Sequence, residues 1–266
     1  MTDKKVVIFG SGVAGLSAAL ELAQFDISIK IIEKSDFTGG HAIQFACKAT
    51  DKCVKCGACL VEDKLDQVLR NSRIKILTGS RIESVSKTER YAIRLNQKPK
   101  YIDAQKCTAC GVCFYQCPQD GAIIQGASRN HSPFFAINEK ECRYLVDQSC
   151  SRCQEACPEK AIALDAHAGQ VDCEADAIVW ATGFSLFNPQ NKPYGYGVFK
   201  NVVTNMELED ILRREGRVIR PSDGQPARKI AFIQCVGSRD AKLDHLWCSK
   251  ICCGSALRMA GLINDR

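Results

Sequence analysis

Histidine is scarce in this chain, and the few present form no pattern. Four occur in 266 residues, His41, His131, His167 and His245, and they share neither metal-ligand spacing nor a nucleophile–base arrangement. No Ser–His–Asp set and no paired carboxylates stand out, so hydrolysis has no visible machinery and no catalytic side chain is expected. Long apolar runs are missing too: none approaches the roughly 18 residues needed to span a bilayer. The opening MTDKKVVIFG passes from a short apolar stretch straight into a glycine loop, with no small-residue cleavage site. It reads as a strand and not as an export signal. Nor do basic residues interleave with aromatics, so the formal net charge of +6 does not by itself mark a nucleic-acid binder.

Cysteine, by contrast, is abundant, with 17 residues gathered largely into C-x2-C clusters. In a chain without an export signal such clusters point to metal rather than disulfides, and to a cytoplasmic location. The length and the 45% hydrophobic fraction suit one large domain or two smaller ones.

Residues 4–33 read strand, glycine loop, helix, strand. Gly10, Gly12 and Gly15 fit G-x-G-x-x-G, with Val13 and Ala14 between the last two. The first glycine allows a tight turn, the second lets the backbone approach a pyrophosphate, and the third lets helix and strand pack closely. Phosphates then meet the free N–H groups at the helix start. Glu33, followed by Lys34, ends the second strand about 20 residues on, where a carboxylate can accept ribose hydroxyls. Further along, a helix over 64–72 precedes strands at 74–77, 81–89 and 91–95. A short strand-like stretch is expected at 133–139, and DAIVWATG at 176–183 is an apolar strand ending in a turn. A helix follows at 207–216, a strand at 228–234, and a terminal helix at 249–262.

Two cysteine segments repeat. Cys107, Cys110, Cys113 and Cys117 form C-x2-C-x2-C-x3-C-P, the bacterial ferredoxin run, whose fourth cysteine ligates the other cluster. The second half supplies Cys142, Cys150, Cys153 and Cys157, with x7 in place of the usual first x2. By the crossing rule one [4Fe–4S] cluster takes Cys107, Cys110, Cys113 and Cys157. The other takes Cys117, Cys142, Cys150 and Cys153. Cys47, Cys53, Cys56 and Cys59 form C-x5-C-x2-C-x2-C, which suits a third cluster, although local spacing alone also admits zinc. Cys235, Cys248, Cys252 and Cys253 form C-x12-C-x3-C-C. Neighbouring helical side chains diverge by about 100°, so this group needs a helix start or a bent loop to converge on a fourth cluster, and unligated thiols are its alternative. Only Cys173 is left over, as a small core residue. Each cluster is formally an anion with its four thiolates. The basic excess thus reads as compensation for bound anionic cofactors.

The fingerprint does not separate FAD from NAD. Gly39 and Gly40, followed by His41, and the triplet Ala181, Thr182, Gly183 resemble the two-dinucleotide-fold flavoproteins of the thioredoxin reductase type, which implies FAD. Taken together, FGSGVAGLSAALELA, the C-x5-C-x2-C-x2-C group, the two-cluster unit, ATGF, and KIAFIQCVGSRD followed by WCSKICC resemble the A subunit of heterodisulfide reductase. The related A subunit of quinone-interacting oxidoreductases is similar. The resemblance implies an oxidoreductase subunit in which FAD exchanges electron pairs and clusters carry single electrons, with flavin-based bifurcation proposed in methanogen-type complexes. The alternatives are a flavin-free iron–sulfur scaffold and a quinone-linked electron-transfer subunit.

The expected fold is α/β, an FAD-binding Rossmann-like domain with an inserted α+β ferredoxin-type 2[4Fe–4S] unit. Residues 1–98 would hold the first part of the FAD domain, with a cluster insertion at 47–59. Residues 99–166 would form the ferredoxin-like unit, 167–227 would continue the FAD domain, and 228–266 would begin a shortened second dinucleotide-type domain. That shortening predicts partners: another subunit completing the second domain, with ferredoxin or disulfide-reductase subunits beside it in a hetero-oligomeric complex.

Overall fold

The computed structural model describes residues 4–53, 55–127 and 134–265. His131, and Pro133 at the head of the strand expected over 133–139, lie outside them. The chain forms two compact units, Met1–Ile43 with Leu60–Gly183, and Gln44–Cys59 with Phe184–Arg266.

The first unit opens with β1 (Lys4–Phe9), α1 (Val13–Leu22) and β2 (Ile27–Ile32), continues through α2 (Leu60–Arg70) and β3 (Ile74–Leu77), and adds β4 (Ser80–Lys87) and β5 (Tyr91–Gln97). Next come α3 (Val112–Gln116), β6 (Ile123–Gln125), β7 (Phe135–Ile137), α4 (Arg143–Asp147) and α5 (Arg152–Glu155). The chain then returns through β8 (Gly169–Ala175) and β9 (Ala177–Trp180). A parallel sheet runs β3-β2-β1-β9. Its central strand is buried from Val6 to Phe9, as a strand covered on both faces must be. Val6 and Ile8 face one core with Leu16 and Ala19 of α1 and Val61, Leu65 and Val68 of α2. Val7 and Phe9 face another with Ile93, Leu95, Cys173 and Ala175, contributed by the antiparallel sheet β4-β5-β8. The expected α/β domain is therefore present, and Cys173 is the expected core residue.

The cysteine repeat is spliced between β5 and β8, which pair from Tyr91↔Ala175 to Gln97↔Gly169. It packs around Phe135, Ala122, Ile123 and Leu164 and closes on itself through an Ile102↔Ile162 bridge.

The second unit contains α6 (Asn205–Glu215) and α7 (Cys252–Asn264). Thr204 and Glu207 form a capping box at the start of α6, and Gly216, at φ 69°, ends it in the left-handed region. Leu208 and Leu212 pack with Met259, Leu262 and Ala46. The strand expected at 228–234 does not form: the segment runs as irregular chain. A strand needs a ladder partner, and no named strand lies among the described residues of this unit. Phe232 packs on the helical core instead. The compact units thus divide the chain differently from the expected boundaries: residues 44–59 and 184–227 fold with 228–265.

Candidate functional site

Three of the motifs meet at the carboxyl end of the parallel sheet. Gly10, at φ +108°, follows β1, and a Cβ there would lie 2.3 Å from the Ala181 carbonyl oxygen. A Cβ on Gly15 would lie 1.9 Å from the Gly10 oxygen. Both glycines are therefore required by the protein itself. Gly12 is not: its φ of −75° and ψ of −176° suit any residue, and an added Cβ would meet nothing within 4 Å. The open space lies where α1 begins, with Gly12 as an N-cap that offers no side-chain acceptor. That is a cradle for an approaching anion.

The remaining residues of the motifs crowd the same loop. Gly39 donates its N–H to the Ser11 carbonyl at 3.0 Å, and a Cβ on Gly40 would sit 3.0 Å from Gly12 Cα. Ala181 donates to the Phe9 carbonyl at 2.9 Å, with Thr182 and Gly183 exposed beyond it. Val13 is half-buried and Ala14 exposed on the first turn of α1, while Lys34 is exposed and His41 half-buried. Glu33 is buried at the end of β2, and one carboxylate oxygen accepts from Ser11 N at 2.9 Å and Ser11 Oγ at 2.7 Å. The other accepts from Ser35 N at 2.9 Å. The acid thus ties the glycine loop to β2. Ser11, fully buried, is the partner that sequence reasoning missed, although a Ser inside G-S-G was the available signal. The crevice between β1 and β9 is where the strand order reverses, the position at which open α/β sheets bind ligands.

The ferredoxin-like repeat builds two cavities. One is lined by Cys107, Cys110, Cys113 and Cys157. The other is lined by Cys117, Cys142, Cys150 and Cys153, with Arg143 and Tyr144 in its wall. Each half of the repeat therefore gives one cysteine to the other half's cavity, the crossing expected from the spacing. Burial, with Cys107, Cys110 and Cys157 close by, pushes the Cys113 thiol up to about 11. Burial, with Cys142 and Cys117 close by, pushes Cys153 up to about 12. Both thiols are thereby held neutral in the metal-free protein, and a cation bound among them would have to offset that cost of deprotonation. The sulfurs line walls rather than closing on a point: among the described residues no three His, Cys, Asp or Glu donors form a group able to hold a single metal ion.

In the second unit Cys235, Cys248, Cys252 and Cys253 come together around the start of α7. The Ser249 hydroxyl lies 3.5 Å from Cys252 Sγ and holds that thiol below its usual value, aided by the Cys235 backbone. Cys252, with Cys235 and Cys248 nearby, pushes Cys253 up. The adjacent pair is accommodated because Cys252 is the first residue of α7 and the chain before it is irregular. Cys47, Cys53, Cys56 and Cys59 share the loop 44–59. Burial works against the Cys56 thiolate, yet N–H groups of Ala58 and Lys48 and the Lys48 charge bring it below its usual value.

Backbone strain gathers at these motifs. Ala109, Lys55 and Lys250 follow Cys107, Cys53 and Cys248 by two residues, and all three lie in the left-handed region, at φ 56°, 48° and 59°. Lys55 N and Lys250 N each point at the preceding cysteine sulfur, at 3.4 Å. A non-glycine residue in that region costs on the order of 1–3 kcal/mol; here it aims amides at sulfur. All 17 cysteines are described, and no disulfide joins any of them.

The fold and its site define an α/β dinucleotide-binding oxidoreductase domain carrying an inserted ferredoxin-type unit. Residues 8–62 match the NAD(P)-binding Rossmann-like domain family. Over 99% of its length the chain is 31% identical to the A subunit of the H(2):CoB-CoM heterodisulfide,ferredoxin reductase of Methanothermobacter marburgensis. Over its whole length it is 34% identical to the A 2 iron–sulfur subunit of the CoB–CoM heterodisulfide reductase of Methanopyrus kandleri. The chain spans 42% of the length of each of these curated relatives. It is thus similar, along all of its own length, to the A subunits of heterodisulfide reductases.

Proposed function

We propose that this chain binds FAD in the β1/β9 crevice and about four [4Fe–4S] clusters at its four cysteine groups, and passes electrons between them as one subunit of a cytoplasmic, heterodisulfide reductase-like complex. The observation that carries the reading is the crossing of the cysteine repeat onto two four-cysteine cavities. Two separate zinc knuckles have no need of exchanged ligands. When bound, FAD exchanges electron pairs and each cluster single electrons.

The residues of the chain supply positions and electrostatics. The glycine loop presents the α1 N-terminus to a pyrophosphate, Glu33 fixes the loop through Ser11, and Gly39 and Gly40 close against it. Ile102, Ile123, Phe135 and Ile162 give the cavities of the ferredoxin-like unit their apolar walls, and apolar surroundings of that kind tune cluster potentials. Strained amides at Lys55 and Lys250 support thiolates in the outer two groups. The relatives' names make a ferredoxin and a disulfide-reducing subunit the partners expected here.

Anaerobic purification followed by iron, sulfide and flavin analysis tests the reading. About 16 iron atoms and one FAD per chain are expected. About half that iron, with zinc in the remainder, would confine clusters to the ferredoxin-like unit. Absence of flavin after reconstitution would leave an iron–sulfur scaffold.

A further inference from the structure

The two halves of the cysteine repeat match at their crossing ends and differ in charge there. Cys117, Pro118 and Gln119 close the first half, and Cys157, Pro158 and Glu159 close the second. Each triplet lines the cavity of the opposite half. Gln119 therefore stands in the wall around Cys117, Cys142, Cys150 and Cys153, and Glu159 in the wall around Cys107, Cys110, Cys113 and Cys157. The halves also differ in length. Two residues, Thr108 and Ala109, separate Cys107 from Cys110, whereas seven separate Cys142 from Cys150. Those seven carry α4, and its first two residues, Arg143 and Tyr144, join the wall of the Cys117 cavity. Arg143 Nε donates to Gln119 Oε1 at 3.2 Å. The guanidinium is thus tied to the neutral amide that stands where the other half has a carboxylate. Among the described residues, one wall holds Arg143 and no acid, and the other holds Glu159 and no base.

We infer that Arg143 and Glu159 poise the two sites of the ferredoxin-like unit in opposite senses, so that an added electron rests on the Cys117 side. A cluster gains negative charge on reduction, and its potential follows the charge around it. The guanidinium favours the reduced state in one cavity, and the carboxylate disfavours it in the other. One electron then leaves the Cys107 side and enters the Cys117 side, with no bond made or broken and no proton moved. Neither side chain is a ligand: each acts on the group beside it. The inference deepens the electron path proposed above and rests on its assignment of clusters to these two cavities.

Both side chains are exposed, so water and salt screen them and the effects are moderate. Arg143→Gln should lower the midpoint on the Cys117 side, and Glu159→Gln should raise the one on the Cys107 side. Each should change the reduced-to-oxidised ratio at fixed potential about threefold, about 28 mV where tenfold is about 59 mV for one electron. Arg143→Lys keeps the charge while giving up the planar fork, and should keep the midpoint.

The experiment is an anaerobic potentiometric titration of the full, cluster-loaded chain, read by electron paramagnetic resonance. The midpoints lost from Cys150→Ser and from Cys110→Ser mark the Cys117 and Cys107 sides. A higher midpoint on the Cys117 side, with a gap narrowed by each glutamine variant and kept by Arg143→Lys, supports the inference. A lower midpoint there, a gap unchanged or widened, or Arg143→Lys shifting as far as Arg143→Gln, overturns it. Should Arg143→Gln lose iron, Glu159→Gln decides alone, since it copies the residue at the equivalent position of the other half: narrowing supports the inference, and no change or widening overturns it. If Cys150→Ser and Cys110→Ser leave iron and signals intact, the cluster assignment itself fails and the inference falls with it, a result distinct from unmoved midpoints.

Discussion

Replacing Gly12 by Ala separates what the protein needs from what its ligand needs. The added methyl meets nothing within 4 Å, and the backbone is already in an extended conformation open to alanine. Two effects on the flavin-free protein nearly cancel. Fewer unfolded conformations stabilise by about 0.4–1 kcal/mol, while alanine is a poorer N-cap than glycine by an amount on the order of 1 kcal/mol. The flavin-free melting midpoint should therefore stay within about 2–4 °C of the unaltered protein. With flavin the outcome differs, because the methyl occupies the space where a pyrophosphate must approach the α1 amides. At a hundredfold excess over Kd, binding stabilises by about 2.7 kcal/mol, or about 5–10 °C for a domain of this size. The variant should lose that increment. The assay is thermal unfolding of anaerobic protein with and without added FAD. A variant that keeps the full FAD-dependent rise would refute the placement of the pyrophosphate. A variant that melts far lower without FAD would show that Gly12 serves the fold and not the ligand.

Three further outcomes follow from the geometry. Gly15→Ala should be destabilised by about 1–3 kcal/mol with or without FAD, since its methyl would lie 1.9 Å from the Gly10 oxygen; chemical denaturation measures this. Cys113→Ala and Cys157→Ala line one cavity, so the double variant should lose no more iron than either single one, about four atoms, whereas Cys113→Ala with Cys117→Ala should lose about eight. In metal-free protein Cys113 and Cys153 stand at about 11 and about 12, raised from 9.0 chiefly by burial. A raised folded-state value contributes stability below pH 9 that disappears as pH climbs through 11–12. Urea midpoints should hold to about pH 9 and fall above it, and a rise would contradict the burial.

What could be read in advance, and what could not, has local causes. The two cavities were legible because the C-P spacing sends one cysteine of each half across to the other half's cavity. The glycine loop was legible because Gly10 and Gly15 answer to backbone contacts that any such turn requires. Strand β8 escaped notice: GQVDCEA carries only Val171, Cys173 and Ala175 inward, small or half-buried, between polar residues. The opposite error occurred at 228–234, where an apolar run looked like a strand. Periodicity reports burial but not partnership, and Phe232 found a helical core rather than a ladder. The buried ion pair of Lys48 with Glu209 could not be seen at all, because 161 residues separate its members and neither has an unusual neighbourhood in sequence.

The pairing of Gln97 with Gly169 places the exit and re-entry of the cysteine repeat side by side on one ladder. The chain leaves β5 and re-enters at β8 from two adjacent strand ends, the geometry of a hairpin whose turn has been opened. Such an attachment makes the repeat a cassette. A short turn joining β5 directly to β8 would restore an uninterrupted meander without disturbing a single inter-strand register. The converse holds as well: a self-closing module with neighbouring termini could be moved into another hairpin. On this view the cysteine module and the dinucleotide-binding scaffold are separable folding problems, joined only where β5 ends and β8 begins.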